Sequence, residues 1–164
     1  MASKIVLKGI DGKINKIISS DLKRCRLPAK ALAEMLDLPL ETTPLLREMN
    51  FGDWEGRSWD DLWRESEGYR IWCENWQTAA CPGGESLPDM TARIERFLNN
   101  EKSGTIFIVT HAGVIRALKH LLTGKALELV FREKIEYWRI SGGFYEKNKN
   151  HMHDRTGQRG PGNT

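Results

Sequence analysis

The sequence predicts an α/β layer fold with a largely parallel sheet, and three observations carry that reading. Two short apolar runs, "KINKIISS" (13–20) and "TIFIVT" (105–110), have the length and composition of buried strands. Each gives way within a few residues to a segment with helical apolar spacing, "DLKRCRLPAKALAEMLD" (21–37) and "GVIRALKHLL" (113–122). Strands that alternate with helices build parallel sheets covered by helices. Ligands of such folds lie beyond the carboxyl ends of the strands. Residues 19–24 and 110–113 are therefore expected to meet at one edge of the sheet.

The remaining elements follow in order. Pro28 predicts a kink in the first helix or a fresh first turn. "LPLETTPLLREMNFGDWEG" (38–56) reads as extended or loop-like, punctuated by Pro39, Pro44, Gly52 and Gly56. "SWDDLWRES" (58–66) opens with Ser58 three residues before Asp61, a capping-box-like start. "GYRIWCENWQTA" (68–79) reads as a second short helix, and "CPGG" (81–84) as a turn. In "ESLPDMTARIERFLNN" (85–100), Ser86 precedes Asp89 by three residues. Leu87, Met90, Ile94, Phe97 and Leu98 form an apolar stripe, so an amphipathic helix is expected. "ALELVFREK" (126–134) fits helix or strand, and "IEYWRIS" (135–141) reads as a strand ended by Gly142 and Gly143. Residues 1–145 are expected to form a single domain, and 146–164 a polar, disordered tail. There is no internal repeat.

Composition narrows the function. At 164 residues the chain is one domain with room for a core. A net charge of +3, with basic residues interleaved among acidic ones, argues against nucleic acid as a partner. No apolar stretch approaches the roughly 20 residues of a membrane span, and "KIVLKGI" is too short for a signal sequence. The default location is the cytoplasm. Cys25, Cys73 and Cys81 lack C-x-x-C spacing, so reduced thiols are expected and no metal site. "HMH" (151–153) has too few histidines for one. No cofactor is implied, and nothing in the sequence specifies the oligomeric state.

Three residues carry candidate chemistry. His111 lies where a strand gives way to a helix, and a helix N-terminus favours an anion. A protonated His111 would add a donor there; the alternative is a satisfied loop histidine. Arg24 follows the first strand, where a guanidinium can grip a phosphate through two parallel bonds; the alternative is a surface arginine. Glu48 lies between an apolar run and a Gly-punctuated loop. A half-buried carboxyl there can protonate a leaving alkoxide; the alternative is a solvated glutamate or a partner of Arg47.

The ordered blocks "SSDLKRC", "LREMNFGDWEG", "PGGESL" and "VTHAGVIRALKHLL", over about residues 13 to 122, resemble the histidine phosphatase superfamily, which includes the phosphoglycerate mutases. That resemblance implies a phosphoglycerate mutase-like three-layer sandwich with a mostly parallel sheet, acting on a small-molecule phosphomonoester. It implies that Arg24 binds the transferred phosphoryl group, that His111 stabilises its charge, and that Glu48 gives a proton to the leaving oxygen. "MNFGDWEG" followed by "GYRIWCENWQTA" looks most like the α-ribazole phosphatases, which remove the 5′-phosphate from α-ribazole phosphate late in cobalamin assembly. Five of the six tryptophans fall between Trp54 and Trp76. Flat indoles suit stacking on a base, and Trp72 and Trp76 are expected to bind substrate. The alternative is that these tryptophans are the core of a small helical cap. A phosphoglycerate mutase-like or broad sugar-phosphate phosphatase remains the alternative enzyme, and a non-catalytic phosphate-binding protein the alternative of another class.

The chain departs from the family at one place. The family's Arg-His-Gly triplet, which supplies its nucleophilic histidine and a further phosphate-binding arginine, is missing, and no histidine precedes His111. "MASKIVLKGIDG" resembles the end of the family's first crossover helix. The expectation is an N-terminally truncated member, a fragment lacking the first strand and most of the first helix, with doubtful activity as it stands. The strands that flank the missing one would keep unpaired backbone groups.

Overall fold

The computed structural model describes residues 14–101 and 104–135. Three parallel strands, β1 (Lys16–Ser20), β2 (Leu40–Thr43) and β3 (Ile106–Val109), form a sheet in the order β2-β1-β3. The helices are α1 (Lys23–Leu36), α2 (Trp59–Glu65), α3 (Glu67–Glu74), α4 (Leu87–Asn100), α5 (Ala112–Thr123) and α6 (Leu127–Arg132).

Strand alternation sorts the core into two layers. Ile17, with Phe107 and Val109 beside it, packs against Ala29, Leu32 and Ala33 of α1. Ile18 and Ile108 face the other way, toward Met90, Ile94 and Phe97 of α4 and Val114 and Ala117 of α5. Side chains two apart on a strand share a face, so one sheet with helices on both sides gives the three layers the sequence predicts. β1 is central and all but its first residue are buried, whereas all four β3 residues are half-exposed. Among the described residues β3 pairs only with β1.

Several elements differ in detail from the sequence reading. α1 runs through Pro28 as one helix. The proline lacks the N–H that would bond the carbonyl of Arg24 one turn back. Residues 40–43, read as an extended stretch, form a full strand of the sheet. Residues 127–132 are helical, with Val130 buried, and Arg116 and Lys119 of α5 reach across to Glu133 at its end. Ser58 and Ser86 cap α2 and α4 as expected, and Ser86 completes its box with Asp89. The strand expected over 135–141, from residue 136 on, and the tail from 146 lie outside the described residues. Among the described residues no helix is long and apolar enough to cross a membrane.

Candidate active site

The strand order fixes where the site must be. The chain leaves β1 for β2 on one side and returns to β3 on the other, so the carboxyl ends of β1 and β3 flank a switch point. Ser19 is in register with Val109, and the next residues along each strand lead into α1 and α5. Two helix N-termini are thereby delivered to one edge.

His111 caps α5 in an extended conformation and is buried. Its Nε2 lies 2.9 Å from the Ser20 hydroxyl, and its Nδ1 receives the Arg24 Nε–H at 3.2 Å. A guanidinium only donates, so Nδ1 is an acceptor and the neutral ring carries its hydrogen on Nε2, donating to Ser20. The Cys25 thiol packs on the same ring, 3.5 Å from Nε2. Burial, reinforced by the nearby Arg24 and Arg93 charges, holds the imidazole pKa down at about 4. This differs from a protonated His111 as the extra donor. The ring is therefore neutral at physiological pH, and the cation bonded to it is Arg24.

Glu48 meets the other side of the same helix start. Its Oε2 accepts the Gly113 N–H at 3.3 Å and its Oε1 the Met49 N–H at 3.1 Å. The carboxyl group thus lies against the first turn of α5. A Cβ at position 113 would collide with Glu48 Oε1, which explains the glycine in "THAG". Arg47 is not the partner of Glu48: it forms a two-pronged pair with Asp21, at 2.7 and 2.5 Å.

The "PGGES" block has a structural role that sequence reasoning left blank. The Arg93 side chain is buried and bonds both oxygens of Glu85, at 2.7 and 3.0 Å, and the carbonyls of Leu45 and Glu48. Burial pushes the Glu85 carboxyl up, but Arg93 and the Asn50 N–H more than offset it. Asp53 N–H bonds Pro82 O, and Glu85 N–H bonds Asn50 O. Gly52, at φ +57°, and Gly84 let these two backbones touch where a Cβ would clash. The clasp fixes the loop that carries Glu48. Arg93 could have been noticed as the one cation inside an amphipathic stripe; Ser20 and Cys25 gave no signal beyond position.

An open cavity of about 200 Å³ is lined by Arg24, Glu48, Met49, Phe51, Trp54, Glu55, Gly56, Arg57 and Trp59. Arg24 and Glu48 therefore share one cavity, with His111 bonded to Arg24 from the buried side. Trp72 and Trp76 are not among the lining residues. Trp72 stacks on Tyr69, packs edge-on to Trp54 and Phe51, and donates its Nε1–H to Ala79 O at 3.0 Å. Trp76 packs on Phe131, beside a second cavity with Glu128 and Arg132. The tryptophan that reaches the first cavity with about half its surface exposed is Trp59.

The chain is similar to known proteins over most of its length. The chain is 38% identical over 121 residues, 70% of its length, to the adenosylcobalamin/alpha-ribazole phosphatase of Salmonella typhimurium, and spans 60% of that relative. It is 31% identical over 141 residues to the 2,3-bisphosphoglycerate-dependent phosphoglycerate mutase of Bartonella henselae, covering 79% of this chain and 68% of that one. The crystal structure of the alpha-ribazole phosphatase from Shigella flexneri superimposes with a TM-score of 0.76 at 30% identity, over 88% of this chain and 73% of the other. Residues 6–155 match the histidine phosphatase superfamily (branch 1), and the chain belongs to that superfamily.

Proposed function

We propose that the chain carries the phosphate-gripping and proton-donating part of a phosphomonoester hydrolase whose substrate is α-ribazole 5′-phosphate, used in assembling the cobalamin nucleotide loop. The observation that carries this reading is the convergence of Arg24 and Glu48 on one cavity, with His111 bonded to Arg24. Arg24 binds two phosphoryl oxygens. When the Arg24 Nε–H turns from His111 Nδ1 to the phosphate, Nδ1 takes up a proton, because the incoming anion stabilises the imidazolium that burial otherwise disfavours. Glu48 gives its proton to the ester oxygen as the P–O bond breaks, and the alcohol leaves neutral.

The family resemblance supplies the nucleophile from an Arg-His-Gly segment that these 164 residues do not contain. Covalent phosphoryl transfer to histidine followed by hydrolysis needs that group. The chain as given is therefore expected to bind phosphate without turning over. The aromatic rim favours a nucleoside-like leaving group over 3-phosphoglycerate, whose carboxylate would need a cation of its own. The cavity's second arginine, Arg57, is already paired with Glu65.

The test joins the N-terminal strand and helix of the Salmonella relative to residue 13 and measures phosphate release. The chimera is expected to hydrolyse α-ribazole 5′-phosphate with a higher kcat/KM than 3-phosphoglycerate, and the unextended chain to release none. A preference for phosphoglycerate, or turnover by the unextended chain that disappears in His111→Ala, overturns the reading.

A further inference from the structure

Arg24 and Glu48 give one part of the cavity lining an assigned role; another part, the start of α2, has none. Ser58 accepts the Asp61 N–H and fixes the first turn, and Trp59 is the first residue of the helix. The indole is braced by two rings. Tyr69, itself buried, stacks on it at 5.8 Å and 14°, and Phe51 meets it edge-on at 5.0 Å and 68°. Tyr69 is in turn stacked on Trp72, so the support extends into the core. Yet Trp59 is 49% exposed, and it lines the cavity that Arg24 and Glu48 line. A large apolar ring held rigid by packing and still open to solvent offers π-surface at little entropic cost.

Resting on the phosphomonoesterase reading, we infer that Trp59 is the stacking platform for the leaving group. It would select phosphomonoesters whose alcohol carries a flat, uncharged aromatic base. The phosphate is gripped by Arg24 while the base lies on the indole across the cavity. Trp72 and the other inner rings hold the platform in place rather than touch the ligand. Trp63, one turn further along α2, is 55% exposed but does not line the cavity, and so provides a matched control.

The experiment is calorimetric titration of the full chain with α-ribazole 5′-phosphate, ribose 5-phosphate and unphosphorylated α-ribazole. Base–aromatic stacking predicts that the wild type binds α-ribazole 5′-phosphate about 10-fold more tightly than ribose 5-phosphate. Trp59→Ala is expected to erase that ratio while leaving ribose 5-phosphate affinity unchanged. Trp59→Phe should retain part of it, and Trp63→Ala all of it. Arg24→Ala should abolish ribose 5-phosphate binding. The inference is overturned if Trp59→Ala keeps the ratio, if it weakens both phosphates alike, or if Trp63→Ala matches it. Failure of the phosphatase reading looks different: ribose 5-phosphate does not bind, or Arg24→Ala leaves it bound. In that case unphosphorylated α-ribazole still decides the platform, since its binding must be lost in Trp59→Ala. If the wild type binds none of the three compounds, both readings fall.

Discussion

The two ends of the cavity are built from different kinds of contact. The anion end is tied together across the whole chain: Ser20 meets His111, Arg24 meets His111, and Arg93 holds the carbonyl of Glu48. Its side chains are mostly buried and its partners are polar. The aromatic end is local. Trp54, Trp59, Tyr69 and Trp72 contact one another within 19 residues of sequence, Trp54 from a short turn and the other three from two helices of seven and eight residues. A site pinned by long-range polar contacts tolerates little change, because losing one partner leaves another buried and unsatisfied. A wall of stacked rings on short capped helices can be altered one ring at a time. On the proposed reading, the chemistry sits on the end pinned by long-range contacts and the specificity on the locally built end.

The largest effect that would separate the two ends is at Arg93. Removing it leaves the Glu85 carboxylate without its ion-pair partner and frees two loop carbonyls. Losing one member of a buried pair costs on the order of 3–5 kcal/mol, so Arg93→Ala should shift urea unfolding by that amount. Trp63→Ala, at the exposed end, should stay within about 0.5 kcal/mol. If the two substitutions proved equally costly, the contrast between a pinned end and a modular end would be wrong.

The pH dependence of stability is the next largest effect. Burial holds His111 at about 4 in the folded state against 6.5 when unfolded. Between those values the unfolded chain binds the proton and the folded chain does not, so stability falls as pH drops from about 6.5 to about 4. At ~1.4 kcal/mol per pH unit, the loss approaches about 3 kcal/mol. The carboxyls of Asp21 and Glu85, held low by Arg47 and Arg93, add their own loss at more acid pH, as it falls below their ordinary values. His111→Asn should therefore flatten the slope above pH 5 and leave the steeper acid limb. An unchanged slope between pH 5 and 6.5 would mean that the imidazole is not shielded as described.

Gly113→Ala comes third. The added Cβ meets Glu48 Oε1, and overpacking of this kind costs about 1–3 kcal/mol. In a Glu48→Ala background the clash is gone, and the same change should be neutral or mildly stabilising, since alanine is the better helix former. The double-mutant cycle reads the contact directly. Additive effects would show that the carboxylate moves aside freely.

The same contrast governs what could be read from the sequence. Periodicity exposed α4 because Leu87, Met90, Ile94 and Phe97 fall on one face and Ser86 and Asp89 mark its start. The pairing of strand ends with helix starts placed residues 19–24 and 110–113 together, and with them Arg24 and His111. What periodicity cannot reach is partner choice. Nothing local says that Arg47 takes Asp21 rather than Glu48, or that His111 receives a hydrogen bond from Arg24 and stays neutral. β2 was hidden because "LETT" has only one apolar residue, half-buried, and its pairing with β1 is a tertiary fact. The tryptophan cluster was visible, but composition could not rank its members. Trp72 and Trp59 both stack on Tyr69, and only one of them opens on the cavity.

The smallest effect tests the anion end alone. Sulfate does not titrate near neutrality, so it isolates the protein's own charge. Bound between Arg24 and the α5 start, it should stabilise the folded chain by mass action, about 1 kcal/mol at a few times its Kd, or ~2–4 °C in Tm for a chain of this size. Arg24→Ala should abolish the rise, and Trp59→Ala should leave it intact, because an ion with no base has nothing to stack. The rise should also grow as pH falls from 7 toward 5. A bound anion favours the imidazolium and lifts the His111 pKa, so binding takes up a proton, and proton-coupled binding tightens as pH falls. Thermal melts at fixed ionic strength, with chloride replacing sulfate in the reference, separate this from general screening. A rise that is the same at pH 7 and pH 5, yet still lost in Arg24→Ala, would leave Arg24 as the whole anion site and remove His111 from it.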